Sequence, residues 1–148
     1  NAGIVCDAFN LPFKSNSFDC IVASEVIEHV IDPALFTESL LQKLKPGGTL
    51  ILVTPYNEKI EYFLCVHCNK PTPKNAHLHS FNEKNIFQFF KTAASNITID
   101  AYCNKYLLKL RLYNVLSFLP FSLWKPLDLL ANTLLKKTTT FLMKTVKI

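Results

Sequence analysis

The sequence predicts an α/β fold built around a parallel βαβ unit, and three stretches carry that expectation. Phe18-Asp19-Cys20-Ile21-Val22-Ala23 has the length and apolar composition of a strand buried on both faces. Asp32-Pro33 opens a helix, with a side-chain acceptor at the N-cap and proline at the first helical position. Phe36, Leu40 and Leu44 then share one stripe until Pro46-Gly47-Gly48 stops the helix. Thr49-Leu50-Ile51-Leu52-Val53-Thr54 reads as a second buried strand. Strand, helix and strand in about thirty-five residues imply a right-handed crossover. The polar cluster Ser24-Glu25-Val26-Ile27-Glu28-His29-Val30 therefore falls at the carboxyl end of a parallel strand, where open α/β sheets bind ligands.

The remaining elements follow from local signals. Gly3-Ile4-Val5-Cys6-Asp7 reads as a short strand ending in a carboxylate. Residues 55–80 show no clear periodicity and form a loop insertion across the carboxyl edge of the sheet. Ser80 or Asn82, with Glu83, starts a helix whose apolar face is Ile86, Phe87, Phe90 and Ala94. A strand follows over 97–103. Helices over 105–119 and 124–135 are separated at Pro120, and a weakly alternating last strand covers 138–146.

Asp7-Ala8, Leu11-Pro12-Phe13, Ser17-Phe18-Asp19, the Glu25-to-Val30 cluster, Asp32-Pro33 and Leu44-Lys45-Pro46-Gly47-Gly48 occur in an order and spacing with a known counterpart. Together they resemble the second half of a class I S-adenosylmethionine-dependent methyltransferase, over residues 3–94. The resemblance implies a Rossmann-like methyltransferase sheet with helices on both faces, strand order 3-2-1-4-5-7-6, and an antiparallel final strand. The family's glycine-rich cofactor loop has no counterpart, since Gly3, Gly47 and Gly48 are the only glycines. The expectation is a partial domain over 1–148, the carboxyl-terminal portion of a longer one, with the first two strands absent. Residues 3–7 would then pair directly with the 18–23 strand or dangle. The region 104–137 would form a helical lid.

The same resemblance implies site residues. Asp7 would accept from the adenine amino group, the Ala8 N–H would donate to a ring nitrogen, and Ser24 would lie against the cofactor. Glu25, Glu28 and His29 would face the acceptor, with His29 a candidate general base. Methyl transfer is a displacement that needs the nucleophile held in line, with a base or electrophile beside it. Glu25-x-x-Glu28-His29, followed by His77-Leu78-His79-Ser80-Phe81, is also similar to the metal set of the small-RNA 2′-O-methyltransferases. That likeness implies a magnesium ion at the cluster. The ubiquinone-biosynthesis O-methyltransferases share the shorter motif, and an RNA substrate is not expected. Plainer readings are a strand-end cap for the cluster and a strand terminus for Asp7.

Cys65-Val66-His67-Cys68 resembles a zinc knuckle, which His77 and His79 would complete as a Cys2His2 tetrahedron. The plainer reading is a pair of reduced loop thiols, and both metal hypotheses compete for the same two histidines. Five cysteines make an odd number, and Cys6 and Cys20 fall in expected buried strands, which fits a reduced, cytoplasmic setting. Residues 1–103 carry 8 Lys+Arg and 10 Asp+Glu, whereas residues 104–148 carry 8 basic residues against Asp128 alone. That apolar, basic tail suggests peripheral contact with an anionic surface, or else a solvated lysine-rich face. No apolar run reaches the roughly twenty residues of a spanning helix. The functional expectation is methyl transfer from S-adenosylmethionine to an oxygen of a small-molecule or lipid-like acceptor. The alternative is a catalytically silent, zinc-stabilised scaffold or binding domain of the same fold.

Overall fold

The structure, a computed structural model, describes residues 3–90, 94–112, 114, 117–135 and 138–147. Strands β1 (Phe18–Ser24) and β2 (Leu44–Pro55) pair in parallel, with helix α1 (Pro33–Lys43) between them in sequence. Asp32 caps α1 as expected, its Oδ1 accepting from the N–H groups of Ala34 and Leu35 at 3.0 Å each. Phe36, Leu40 and Leu41 bury one face of α1 against Leu44, Leu50 and Leu52 of β2 and Ile27 of the intervening turn. The buried hydroxyls on this helix tie loops to it: Ser39 donates to the Ala8 carbonyl (3.0 Å) and Thr37 to that of Phe89 (2.9 Å).

The helix ends earlier than its glycine pair. Leu44 is already extended (φ −71°, ψ 144°), and Pro46-Gly47-Gly48 forms an excursion inside β2. Phe18 faces Leu44 while Cys20 faces Thr49, so the extra residues of β2 bulge between those pairs. Gly47 needs its left-handed φ of +77°, and a Cβ on Gly48 would sit 2.8 Å from the Lys45 carbonyl oxygen. Lys45 bridges the bulge by donating to both carboxylate oxygens of Asp19, at 2.8 and 2.9 Å.

The main sheet has the order β1-β2-β6-β5, where β5 is Ala94–Asn104 and β6 is Thr138–Lys147. β6 runs antiparallel to both neighbours, which matches the expected order and the reversed last strand. The expected burial of β1 on both faces is not observed. As an edge strand it buries only Ala23; Val22 is 61% exposed, and Cys20 and Cys6 are exposed as well. Residues 3–7 are not a strand, because no ladder partner meets them.

Three further expectations change. The 55–80 segment contains a hairpin, β3 (Tyr62–Leu64) against β4 (Pro71–Pro73), too short and proline-rich to show a period. Asn82 accepts from the N–H groups of Lys84 and Asn85 as a cap would, yet only a 3-10 turn forms, over Ile86–Phe89. Of the expected stripe, Ile86 is in the core, Phe87 is exposed and Ala94 belongs to β5. Of the helix expected over 105–119, α2 (Lys105–Lys109) forms and Arg111 is left-handed at φ 54° just beyond it, while residues 113, 115 and 116 lie outside the described residues. Helix α3 (Phe121–Leu135) starts directly after Pro120, whose carbonyl accepts from Leu123 and Trp124.

A buried polar network locks α3 to the end of β5. Asp128 accepts from the backbone N–H groups of Cys103 (2.8 Å) and Asn104 (3.0 Å) and from Asn132 Nδ2 (3.0 Å). The Asn104 side chain donates to Asn132 Oδ1 at 3.0 Å and accepts from the Tyr106 N–H at 3.0 Å, opening α2. Asp128→Ala strips one buried and two partly buried donors of their acceptor, so it should cost about 3 kcal/mol. Urea denaturation checks the loss, and amide exchange should speed up first at Cys103 and Asn104.

Candidate functional site

The backbone turns sharply where β1 ends. The Glu25 N–H still bonds the Val53 carbonyl at 2.9 Å, but Glu25 itself is left-handed at φ 54°. A non-glycine residue in that conformation is strained by about 1–2 kcal/mol, a pattern that clusters at functional sites. The next turn, closed by the His29 N–H to the Val26 carbonyl (3.0 Å), sends Ile27 and Val30 into the core. Glu28 goes in with them and is 1% exposed.

Glu28 Oε2 accepts from Thr54 Oγ1 at 3.0 Å, whereas its Oε1 is buried with no hydrogen-bond donor. The Glu28 carbonyl accepts from the N–H groups of Leu78 (2.8 Å) and His79 (3.2 Å), which brings the 77–79 segment over the turn. His29 Nε2 lies 4.0 Å from Glu28 Oε1, and the rings of His29 and His77 meet edge to face at 4.8 Å. One ligand atom from each of Glu28, His29 and His77 falls within 4.8 Å of the others.

Both imidazoles are oriented from outside the cluster. His29 Nδ1 bonds the Ala76 carbonyl at 3.2 Å, and His77 Nδ1 bonds Glu58 Oε2. A carbonyl and a carboxylate only accept, so Nδ1 carries the hydrogen in each neutral ring and Nε2 keeps the lone pair. This carboxylate- or carbonyl-anchored imidazole is the usual support of a metal-ligating histidine. Asn75 and Ala76 are both left-handed (φ 58° and 56°), so strain again lies beside the cluster.

Burial is the main cause that raises the Glu25 pKa, with the charge of Glu28 and a hydrogen bond shared with it adding to the effect; His77 and His29 oppose it. Glu25 thus lies within reach of the Glu28 charge. On the other side, burial raises the Tyr102 pKa, followed by the charges of Cys103 and Glu25. Tyr102 also lines an apolar cavity of about 560 Å³ with Asp100, Phe121, Trp124, Lys125, Asp128 and Leu129.

The other expected site residues are placed as follows. Ser24 is exposed at the end of β1, paired with Val53. Asp7 is exposed, with Oδ1 accepting from the Phe9 N–H at 2.9 Å, and the Ala8 carbonyl is held by Ser39. The Cys65–Cys68–His77–His79 tetrahedron is not assembled. His77 is committed to Glu58 and His29, and His79 Nε2 bonds the Val30 carbonyl at 2.9 Å. Among the described residues no three-ligand group includes either cysteine. The two thiols do meet in the hairpin turn, where hydrogen bonds from the His67 N–H, the Cys68 N–H and the Cys68 thiol lower the Cys65 pKa. Sequence reasoning missed Thr54 and Glu58. Their one signal was position, at and just past the carboxyl end of the second strand.

The raised Glu25 pKa has a definite sign. A proton on Glu25 stabilises the fold at low pH, and that contribution is lost as pH rises through the raised value. With divalent ions removed by chelator, Glu25→Gln keeps a donor in place at all pH values. Its Tm, relative to wild type, should climb as pH increases from 4.5, and the two should converge below it. Parallel melting curves across this window would mean that Glu25 holds no such proton.

The methyltransferase domain family matches residues 1–52. The chain is 46% identical over 50 residues to the human mitochondrial ubiquinone biosynthesis O-methyltransferase, covering 34% of this chain and 14% of that protein. It is 41% identical over 56 residues to the ubiquinone/menaquinone biosynthesis C-methyltransferase of Cellvibrio japonicus, covering 36% and 22%. The chain thus spans under a quarter of the length of these curated relatives. Among solved structures, a SAM-dependent methyltransferase from Archaeoglobus fulgidus superposes with a TM-score of 0.61 at 9% identity, covering 97% of this chain and 66% of its own. Haemonchus contortus phosphoethanolamine N-methyltransferase 2, in complex with S-adenosyl-L-methionine, gives 0.58 at 17% identity, covering 96% and 36%. The chain therefore has the class I methyltransferase fold, and its first 52 residues match the methyltransferase domain family.

Proposed function

We propose that this chain is part of an enzyme that transfers a methyl group from S-adenosylmethionine to an oxygen of a small-molecule or lipid-like acceptor. The observation that carries this reading is the Glu28–His29–His77 cluster at the carboxyl end of β1, with the His29 Nε2 lone pair beside a buried carboxylate. The relatives include both O- and C-methyltransferases, so the acceptor atom is argued from the cluster. Asp7, Ala8 and Ser24 are the proposed cofactor contacts. The chamber walled by Tyr102, Phe121 and Trp124 suits an apolar or aromatic acceptor body. In the transfer, an acceptor oxygen lone pair forms the new O–C bond while the C–S bond breaks and its electrons stay on sulfur. The hydroxyl proton passes to His29 Nε2.

The same residues fit a divalent cation. Glu28 Oε1 is a buried carboxyl oxygen without a hydrogen-bond partner, and both imidazoles present Nε2 with Nδ1 anchored. Glu28, His29 and His77 would hold the ion, with Glu25 close by. Two imidazoles move the preference from magnesium toward a transition ion. Such an ion would lower the pKa of an acceptor hydroxyl. The zinc-stabilised scaffold has less support, because His77 and His79 are engaged elsewhere.

The test is single-turnover transfer of labelled methyl by the full-length protein to hydroxylated aromatic and lipid acceptors. His29→Ala should lower kcat by about a hundredfold or more, the scale of general acid–base catalysis, with Tm nearly unchanged. Elemental analysis separates the two roles. If an ion is bound, Glu28→Gln and His77→Ala should lose it, and chelator should silence the wild type. If His29 acts alone, chelator should have no effect. Turnover by His29→Ala close to wild type would remove the cluster from the chemistry.

A further inference from the structure

Helix α3 is built inside out. Its polar residues Asp128 and Asn132 face β5, where they are bonded to Cys103, Asn104 and each other. Leu123, Leu127, Leu130 and Leu134, spaced along one helical stripe, are between 46% and 71% exposed. Phe118, just upstream, is 89% exposed. A contiguous apolar stripe of this kind marks an interaction surface. Its surroundings say which kind. Residues 104–148 hold 8 basic residues and one carboxylate, Asp128, and that carboxylate is buried and fully bonded. Lys109 and Arg111 are exposed just upstream of α3, and residues 104–148 offer them no exposed acid; Lys125 lies on the β5 side of the helix, lining the chamber with Asp100.

We propose that this face docks on an anionic lipid bilayer, with α3 lying in the plane of the headgroups. Leucines would enter the acyl boundary while Lys109 and Arg111 meet lipid phosphates, the arrangement of interfacial amphipathic helices. A second copy of the chain fits the same face poorly, because its net positive charge would be brought against its like. α3 has 15 residues, and no described helix is long and apolar enough to cross a membrane, so contact along the surface is the geometry available to it. This inference does not depend on methyl transfer.

Trp124 is the sole tryptophan, so its emission reports on α3 directly. The protein should float with vesicles of phosphatidylcholine and phosphatidylglycerol in equal parts, at least about tenfold more strongly than with phosphatidylcholine alone. Trp124 emission should shift to the blue on binding, and high salt should weaken it. Leu127→Glu with Leu130→Glu should reduce flotation about tenfold with the circular dichroism spectrum retained. Lys109→Glu with Arg111→Glu, which leaves the leucine stripe intact, should abolish the preference for anionic vesicles. Absence of flotation, or equal binding to both vesicles, would overturn the proposal. So would a dimer seen by light scattering that Leu130→Glu disperses, because the occupant would then be a second copy.

Discussion

The site depends on the burial of one carboxylate. Taking Glu28 out of water carries a penalty of several kcal/mol unless its oxygens find partners. Thr54 serves one oxygen, and a proton on Glu25 or a cation among Glu28, His29 and His77 can serve the other. Thr54 is available because Leu50, Leu52 and Thr54 alternate onto one face of β2. A one-residue slip in the register of β2 would turn Thr54 away and leave Oε2 without its donor. The Glu28 backbone does the complementary work, since its carbonyl holds Leu78 and His79 and so positions His77. Core packing, sheet register and loop placement meet in a single residue.

Strain is concentrated around that residue. Glu25 is left-handed on one side of the cluster, Asn75 and Ala76 on the other, and Asn57 next to Glu58. Each conformation aims a functional group: Glu25 toward Glu28, Ala76 with its carbonyl on His29 Nδ1, and Glu58 on His77 Nδ1. These contacts keep both Nε2 atoms available and restrict ring rotation, so the arrangement is set before any ligand arrives. The chamber is held by a separate device, the Asp128–Asn132–Asn104 network, which fixes α3 against β5. Site and chamber therefore rest on independent polar anchors.

The elements with strong local signals were legible. Asp32-Pro33 marked the start of α1, apolar runs marked β1 and β2, and the resemblance placed β6 between β2 and β5. Burial was less so, because an apolar run does not say whether a strand will be an edge. β1 kept Cys20 and Val22 exposed for that reason. Glu25, Glu28 and His29 were identified as a cluster, but which histidine would join them was not. His77 and His79 are two residues apart, and only the tertiary hydrogen bonds to Glu58 and Val30 tell them apart. The cysteine pair showed the opposite limit. Its local spacing formed the expected turn, while the more distant histidines were drawn to other partners.

The sheet order bears on how the chain can be assembled. β6 is the most carboxyl-terminal described strand, yet it lies between β2 and β5 and is the only strand that joins them. During vectorial synthesis, β1, α1 and β2 can close on one another as soon as they leave the ribosome, because their contacts are local. β5 has no such option. It must wait with an unpaired edge, and α3 beside it with its leucines uncovered, until residues 138–147 have been made and inserted between the two halves. The interval in which chaperones or a surface could engage the nascent chain is therefore set by the arrival of its last described strand.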